Sequence, residues 1–532
     1  MTPPKENALA AAVRAASSRD ADLHILNKDE DRWDSRPWSE VLAHAEGIAA
    51  HLQDRGSAAG PVAVIGESGY ETVTIVLAAW LAGRASTLLP GPNRFTSLDS
   101  WAARTTTQLG ALGVGQVYCQ GTALHALGGV QAAESGFRTG GFDEVDLWRT
   151  APAGFGPTPT AVDAVSIYQG TAGSTGMPKA VALTAPAALA NVRDVLARQQ
   201  FRDGDVLCSW LPLYHDMGLM MLLAGLLTGA PTWLAPTSAF AKSPFDWLQW
   251  LTTSGATVTA APNFAYALVG RYARLSAGAD LSALRVAING GEPIDVAATQ
   301  RFSEQLASAG FDASAVCPSY GLAEATCALT MPTAGTGLTY DEVPAPDGTT
   351  HRAALLGSAL DGVELRVAPT THNTEFDAVR PVGEIQFRSA AQMIGYHGDT
   401  PIGAGEWIGT GDLGYLVDDQ LVVCGRSKEL ITIAGRNIFP QEIERAVVGV
   451  AGVRPGAIAA VNGGGSGARR DQLVVVAEYS GDDKKAARRL ISERVAAECG
   501  VTPGLVDLVP VGELPKTTSG KLRRVEIAAG YR

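Results

Sequence analysis

The chain has 532 residues, 46% of them hydrophobic and 18% charged, enough for several structural units with sizeable cores and unlike a disordered or fibrous chain. Asp and Glu outnumber Lys and Arg by 54 to 42, a net charge of −12, which argues against nucleic acid or an anionic membrane gripped by the whole surface; any bound anion must be held by a local site. The six cysteines, at 119, 208, 317, 327, 424 and 499, form no CxxC pair and complete no zinc pattern, so they read as buried thiols of a reduced compartment and predict a cytoplasmic protein.

From the amino terminus, Lys5 precedes a short alanine-rich segment that Arg14 and Arg19 interrupt, which predicts no signal peptide. Val62-Ala63-Val64-Ile65-Gly66 reads as a strand and 71–81 as the helix after it. The same alternation recurs at 206–211 and 216–227, at 256–260 and 263–273, and at 284–288 and 295–309. This is the pattern of parallel strands joined by crossover helices, hence a doubly wound α/β architecture. The longest apolar stretch, 218–227, is well short of the ~20 residues that span a bilayer and predicts a core helix and no stable membrane insertion.

Gly170-Thr171-Ala172-Gly173-Ser174-Thr175-Gly176-Met177-Pro178-Lys179 combines glycines that let backbone approach an anion, three hydroxyls and one ammonium. That is the inventory for cradling phosphates, a triphosphate being the natural guest. Pro178 separates Gly176 from Lys179, so the Gly-Lys-Ser/Thr of a P-loop NTPase is missing, as is a dinucleotide fingerprint. Ala164-Val165-Ser166-Ile167-Tyr168 before it and Ala180-Val181-Ala182-Leu183 after it predict a loop joining two strands, with helix beginning near Pro186. By itself such a segment is also compatible with an ordinary Gly/Ser/Thr hairpin.

Strand 284–288 ends in Asn289-Gly290-Gly291-Glu292-Pro293, ahead of a helix capped by Asp295 or Thr299. In open α/β sheets ligands bind beyond the carboxyl ends of strands, and these glycines allow a flat base to lie against backbone. After about residue 355 the texture changes to strands separated by turns, at 364–367, 383–387 and 420–424, predicting a sheet or small barrel that closes the large domain. Thr410-Gly411-Asp412 follows Trp407, and Arg426 follows strand 420–424; a carboxylate can accept from two hydroxyls, but taken singly each of the two could be a turn residue or a salt-bridge partner. A second change after Gly425 opens a final segment of small-domain size, in which Gly463-Gly464-Gly465-Ser466-Gly467 is a loop.

With Ser209-Trp210-Leu211-Pro212-Leu213-Tyr214-His215-Asp216-Met217-Gly218, Ala261-Pro262-Asn263-Phe264-Ala265 and Ser319-Tyr320-Gly321-Leu322-Ala323-Glu324-Ala325-Thr326, the glycine-rich loop resembles the motif set of the adenylate-forming superfamily, most closely its fatty acyl-AMP ligase branch, over about 163–524. The superfamily also holds acyl-CoA synthetases, peptide-synthetase adenylation domains and firefly luciferase. The resemblance implies a large AMP-binding domain over 1–425 and a small mobile α+β domain over 426–532 that turns about Lys428. Thr171, Ser174, Thr175 and Lys179 would grip phosphates. Gly290, Gly291 and Glu292 would form the adenine shelf, with Ser319, Tyr320 and Gly321 against the nucleotide and Asp412 and Arg426 on the ribose. Glu324 would hold Mg²⁺ on the ATP phosphates. His215 would stand beside the acyl carboxylate, and Lys521, in Pro515-Lys516-Thr517-Thr518-Ser519-Gly520-Lys521, would bridge that carboxylate and the α-phosphate.

The implied reaction is ATP plus a fatty or other hydrophobic carboxylic acid giving acyl-AMP and pyrophosphate, then acyl transfer to the phosphopantetheine thiol of an acyl carrier protein. CoA is the alternative acceptor. From another class, an inactive relative that binds acyl-nucleotide as a sensor or scaffold remains open, although Glu324, Asp412, Arg426 and Lys521 are all present.

Overall fold

Val62–Ile65 has every residue buried, as expected of a parallel strand covered on both faces, which reads as a continuous apolar run. In the computed structural model, which describes residues 7–16, 20–54, 60–92, 97–129, 136–171, 179–275, 278–344, 350–370, 380–403, 405–433, 436–463, 472–516 and 522–531, this strand lies inside a seven-stranded sheet. The order across it is Gly395–Tyr396, Lys179–Thr184, Val165–Thr171, Ser86–Leu88, Val62–Ile65, Gln116–Cys119 and Arg138–Gly141. A second seven-stranded sheet runs Val316–Pro318, Val286–Asn289, Val258–Ala261, Leu207–Ser209, Thr232–Leu234, Asp22–Asn27 and Arg32–Pro37. Most neighbours in both sheets are parallel, so the doubly wound α/β reading holds.

Helices Tyr70–Leu81 and Asp216–Thr228 are apolar on nearly all sides and buried along most of their length, the signature of helices with no solvent face. One hydrophobic cluster takes in both helices and strands of both sheets, from Leu9 to Ile408. Stops and starts follow local chemistry. Gly229 ends the second helix in the left-handed region at φ +63°, a conformation that costs glycine nothing. Pro186 lies in the first turn of Ala185–Arg198, where the Thr184 hydroxyl accepts from the Ala187 amide at 3.3 Å. Asp295, of the two candidates, caps Val296–Leu306 by accepting from Ala298 N at 3.0 Å.

The strand-rich region takes the form of short antiparallel sheets, the largest ordered Val363–Pro369, Gly383–Ser389, Ile408–Val417, Gln420–Arg426. Beyond it, a three-stranded sheet of Val453–Gly463, Gln472–Tyr479 and Leu505–Val509 carries Lys484–Cys499 and Arg524–Ala529, with hydrophobic clusters of its own. Phe439, fully buried, instead joins Leu413, Tyr415 and Val422 of the preceding sheet. All six cysteines are free thiols, five buried and Cys424 part-buried. Among the described residues no helix is long and apolar enough to cross a membrane.

Candidate active site

The glycine-rich segment leaves from one antiparallel pair, Val165–Thr171 against Lys179–Thr184, with Thr171 and Lys179 as the last partners. The Thr171 hydroxyl donates to Lys179 O at 3.2 Å. The segment therefore joins two strands, as the flanking sequence predicts, while Ser174 and Thr175 lie outside the described residues. Lys179 Nζ sits 4.4 Å above the Tyr396 ring and 3.5 Å from Asp399 Oδ2. Immediately upstream, buried Gln169 donates from Nε2 to Tyr214 O, which ties this pair of strands to the turn carrying His215.

The second sheet supplies a shelf. Asn289 ends the strand Val286–Asn289, and Ser319 N donates to Asn289 O at 2.9 Å. A Cβ on Gly290 would stand 2.3 Å from Ser319 Oγ, and Gly291 has φ +78°, so close approach at one position and backbone conformation at the other require glycine. The Glu292 carboxylate accepts from Phe264 N. Beneath it Asn263 Oδ1 accepts from Asp295 N at 3.2 Å and from Asn289 Nδ2 at 3.3 Å, a buried polar link from the shelf to the next helix.

Tyr320 Oη donates to Asp412 Oδ2 at 2.7 Å, and Arg426 Nε donates to Asp412 Oδ1 at 3.0 Å. Burial, then the neighbouring Asp412 charge, push the Tyr320 phenol well above its usual range. The Asp412 charge raises Arg426 against the opposing effect of burial. Hydrogen bonds to both carboxylate oxygens place the phenol, the carboxylate and the guanidinium in one row.

Glu324 lies in the short turn Ala323–Ala325, and its Oε1 accepts from Tyr396 Oη at 2.6 Å. Two residues on, Thr326 adopts φ +70°, a strained conformation for a β-branched residue of the kind that collects at functional sites. Its hydroxyl donates to Ala391 O at 2.8 Å. Among the described residues no group of three or more His, Cys, Asp or Glu could hold a metal. One carboxylate suits a hard cation that arrives with phosphates and keeps waters, as Mg²⁺ does.

His215 stands at the start of Asp216–Thr228, its side chain 31% exposed and its Nδ1 3.1 Å from Asp216 Oδ1. Met220, Met221, Leu222 and Leu226 behind it belong to the main core. Lys428 lies in the turn Ser427–Glu429, and the Ser427 hydroxyl donates to Gly411 O at 3.1 Å. Lys521 is outside the described residues. Its flanks Lys516 and Leu522 form an isolated antiparallel bridge, and Lys516 Nζ donates to Gly456 O at 3.0 Å. Burial lowers the Lys516 ammonium and the Arg454 charge adds to the fall, while Glu478 and, less strongly, Glu292 oppose it.

The AMP-binding enzyme family model matches residues 13–397, which include the glycine-rich loop, the shelf and the Glu324 turn. The chain belongs to that family. A ligase of Mycobacterium tuberculosis is 34% identical over 92% of this chain and 93% of its own length. A long-chain-fatty-acid–AMP ligase of Mycobacterium marinum is 30% identical over 93% and 91%. A solved structure from work on fatty acyl-adenylate ligases of E. coli and L. pneumophila is 28% identical, covers 99% of both chains and superimposes with a TM-score of 0.89. The expected place in the adenylate-forming superfamily therefore holds.

Within this AMP-binding enzyme, sequence-predicted residues meet in three groups: Thr171 with Lys179, Gly290 with Ser319, and Tyr320 with Asp412 and Arg426. Gln169, Tyr396 and Asp399 were not legible as site residues. Only the position of Gln169 directly before Gly170 hinted at one of them.

Proposed function

We propose that the chain activates a hydrophobic carboxylic acid with ATP, giving acyl-AMP and pyrophosphate, and then passes the acyl group to the phosphopantetheine thiol of a carrier protein. The first step is in-line attack of a carboxylate on the α-phosphorus. It needs little proton transfer, so positioning and charge neutralisation do most of the catalysis. Thr171, Ser174, Thr175 and Lys179 would take the β- and γ-phosphates, and Gly290, Gly291, Glu292, Ser319 and Gly321 would border the adenine with the Tyr320 ring. Asp412 and Arg426 would hold the ribose, His215 would face the acid, and Lys521 would supply charge on the attacking side. Mg²⁺, where bound, would neutralise phosphate charge beside Glu324. We assign the enzyme to the cytoplasm, in keeping with its six free thiols.

The observation that carries this reading is the row Tyr320–Asp412–Arg426, in which a tyrosine 92 residues upstream joins a cross-strand Asp–Arg pair by hydrogen bonds of 2.7 and 3.0 Å. We also divide the chain into an AMP-binding domain, 1–425, and a small domain, 426–532, that rotates about Lys428 between the two half-reactions; one element-terminal residue is enough to absorb such a hinge motion.

The test is carboxylate-dependent ATP–pyrophosphate exchange across acids of increasing chain length, then CoA and a carrier protein offered separately. Exchange with fatty acids and acylation of the carrier are expected. No exchange with any acid would remove the adenylation reading, and acylation of CoA alone would move the acceptor to CoA.

A further inference from the structure

Tyr396 sits on a strand only two residues long, Gly395–Tyr396, which pairs with Lys179–Thr184 at the edge of the first sheet. Three backbone hydrogen bonds fasten this short segment: Met393 N to Glu324 O at 2.8 Å, Ile394 N to Ala182 O at 3.0 Å, and His397 N to Ala180 O at 2.8 Å. The Tyr396 hydroxyl donates to Glu324 Oε1 at 2.6 Å, while its ring lies 4.4 Å beneath Lys179 Nζ. One side chain thus touches both the carboxylate and the ammonium that the adenylation reading, on which this inference rests, assigns to the phosphates.

We propose that Tyr396 is a positioning residue that sets Glu324 and Lys179 for one Mg·ATP. Its hydroxyl occupies Oε1 and fixes the carboxylate rotamer, which leaves Oε2 to face the cation; among the described residues no hydrogen bond to Oε2 is formed. Its ring holds the lysine by cation–π attraction, and Asp399, 3.5 Å from Nζ, is a second partner of the ammonium. Partners of metal ligands act in this way, and their loss commonly weakens metal affinity by about 10–100-fold.

Calorimetry of ATP binding at stepped Mg²⁺ concentrations tests this without using turnover. Tyr396→Phe should raise the Mg²⁺ concentration for half-maximal ATP binding on the order of 10-fold, while AMP binding in the absence of metal stays as in the wild type. In a Glu324→Gln background Tyr396→Phe should have no further effect, since the carboxylate through which it acts is gone. An unchanged Mg²⁺ requirement overturns the proposal, and so does equal weakening of AMP and Mg·ATP, which would mark a merely structural tyrosine. Should Tyr396→Phe fold poorly, amide exchange in the wild type decides: amides 393–397 should be slowed more by Mg·ATP than by ATP alone, and equal slowing overturns it. A wild type that binds Mg·ATP yet exchanges no pyrophosphate would defeat the adenylation reading and leave this one intact.

Discussion

Asp412 and Arg426 are cross-strand partners in neighbouring antiparallel strands, and Arg426 Nε lies 3.0 Å from Asp412 Oδ1. Opposite charges placed this way hold each other in one rotamer. Because Tyr320 takes the other carboxylate oxygen at 2.7 Å, a nucleotide at this place meets a carboxylate that has already lost its freedom, with lone pairs left for hydroxyls.

Asp412→Ala should therefore weaken ATP binding by about 10–100-fold, the equivalent of one or two hydrogen bonds to a charged group. Asp412→Asn keeps the shape but removes the charge that orders Arg426, and should fall between alanine and wild type. Calorimetric titration with ATP checks both, and wild-type affinity in Asp412→Ala would take the ribose away from this residue.

Asp205 and Arg285 form a second pair, distant in role. Arg285 Nε donates to Asp205 Oδ1 at 2.8 Å, its Nη2 donates to Oδ2, and the aspartate side chain is 1% exposed. Burial by itself would raise the Asp205 carboxyl, but hydrogen bonds from Arg285, Arg202 N and Thr257 outweigh it and hold the carboxyl below its usual value. A carboxyl lowered by folding stabilises the fold above the ordinary carboxylate pKa and loses that contribution as pH falls through the lower, folded value. Asp205→Ala should cost roughly 3–5 kcal/mol at pH 7, the usual result of stripping one partner from a buried pair. It should also show a smaller further loss between pH 5 and 2 (~ the carboxylate range) than the wild type. Urea unfolding at several pH values measures both.

Arg445, on helix Pro440–Val447, reaches His351 on strand Thr350–Ala354, with 2.6 Å between Nη1 and Nε2. Burial and the Arg445 charge push His351 down to about 4. The unfolded imidazole takes its proton near ~6.5, so stability from this contact is complete above that pH and drains away as pH falls toward the folded value. His351→Gln, which cannot titrate, should flatten the pH dependence of unfolding between about 6.5 and 4. An unaltered profile would mean that the histidine is not the titrating group.

The parts of this architecture that were legible in the sequence obey local rules. Val62–Ile65 and Tyr70–Leu81 declare themselves by apolar runs, and Gly290 by the turn it enters. Tyr396 was illegible because a two-residue strand has no period to read, and its neighbours Ala180, Ala182 and Glu324 lie far away along the chain. Asp412 and Arg426 were legible as residues meant for one place, and they do pair, but the Tyr320 hydroxyl that completes their row was not, since a tyrosine near a glycine announces an aromatic face sooner than a donor. Element ends moved by a few residues: the helix expected over 295–309 is Val296–Leu306 followed by a 3-10 turn, Ala307–Ala309.

Lys516 and Lys521, the latter proposed to act in catalysis, lie in one basic segment. Lys516 is tied down: its ammonium donates to Gly456 O at 3.0 Å, and its backbone bridges to Leu522. That ammonium also feels Glu292 of the shelf, after the larger effects of burial, Glu478 and Arg454. A lysine meeting charge that develops only as the carboxylate attacks should act on rate and not on folding; removing one such donor commonly costs about 10²–10³ in turnover. Lys521→Ala should accordingly leave thermal unfolding and ATP affinity near wild type while carboxylate-dependent pyrophosphate exchange falls at least ~100-fold. Lys516→Ala should instead lower stability and exchange together, because it removes a hydrogen bond that holds the segment. If Lys521→Ala exchanges pyrophosphate as fast as the wild type, the attacking side of the reaction is served by another group, and Lys516, which feels the Glu292 charge, becomes the one to follow.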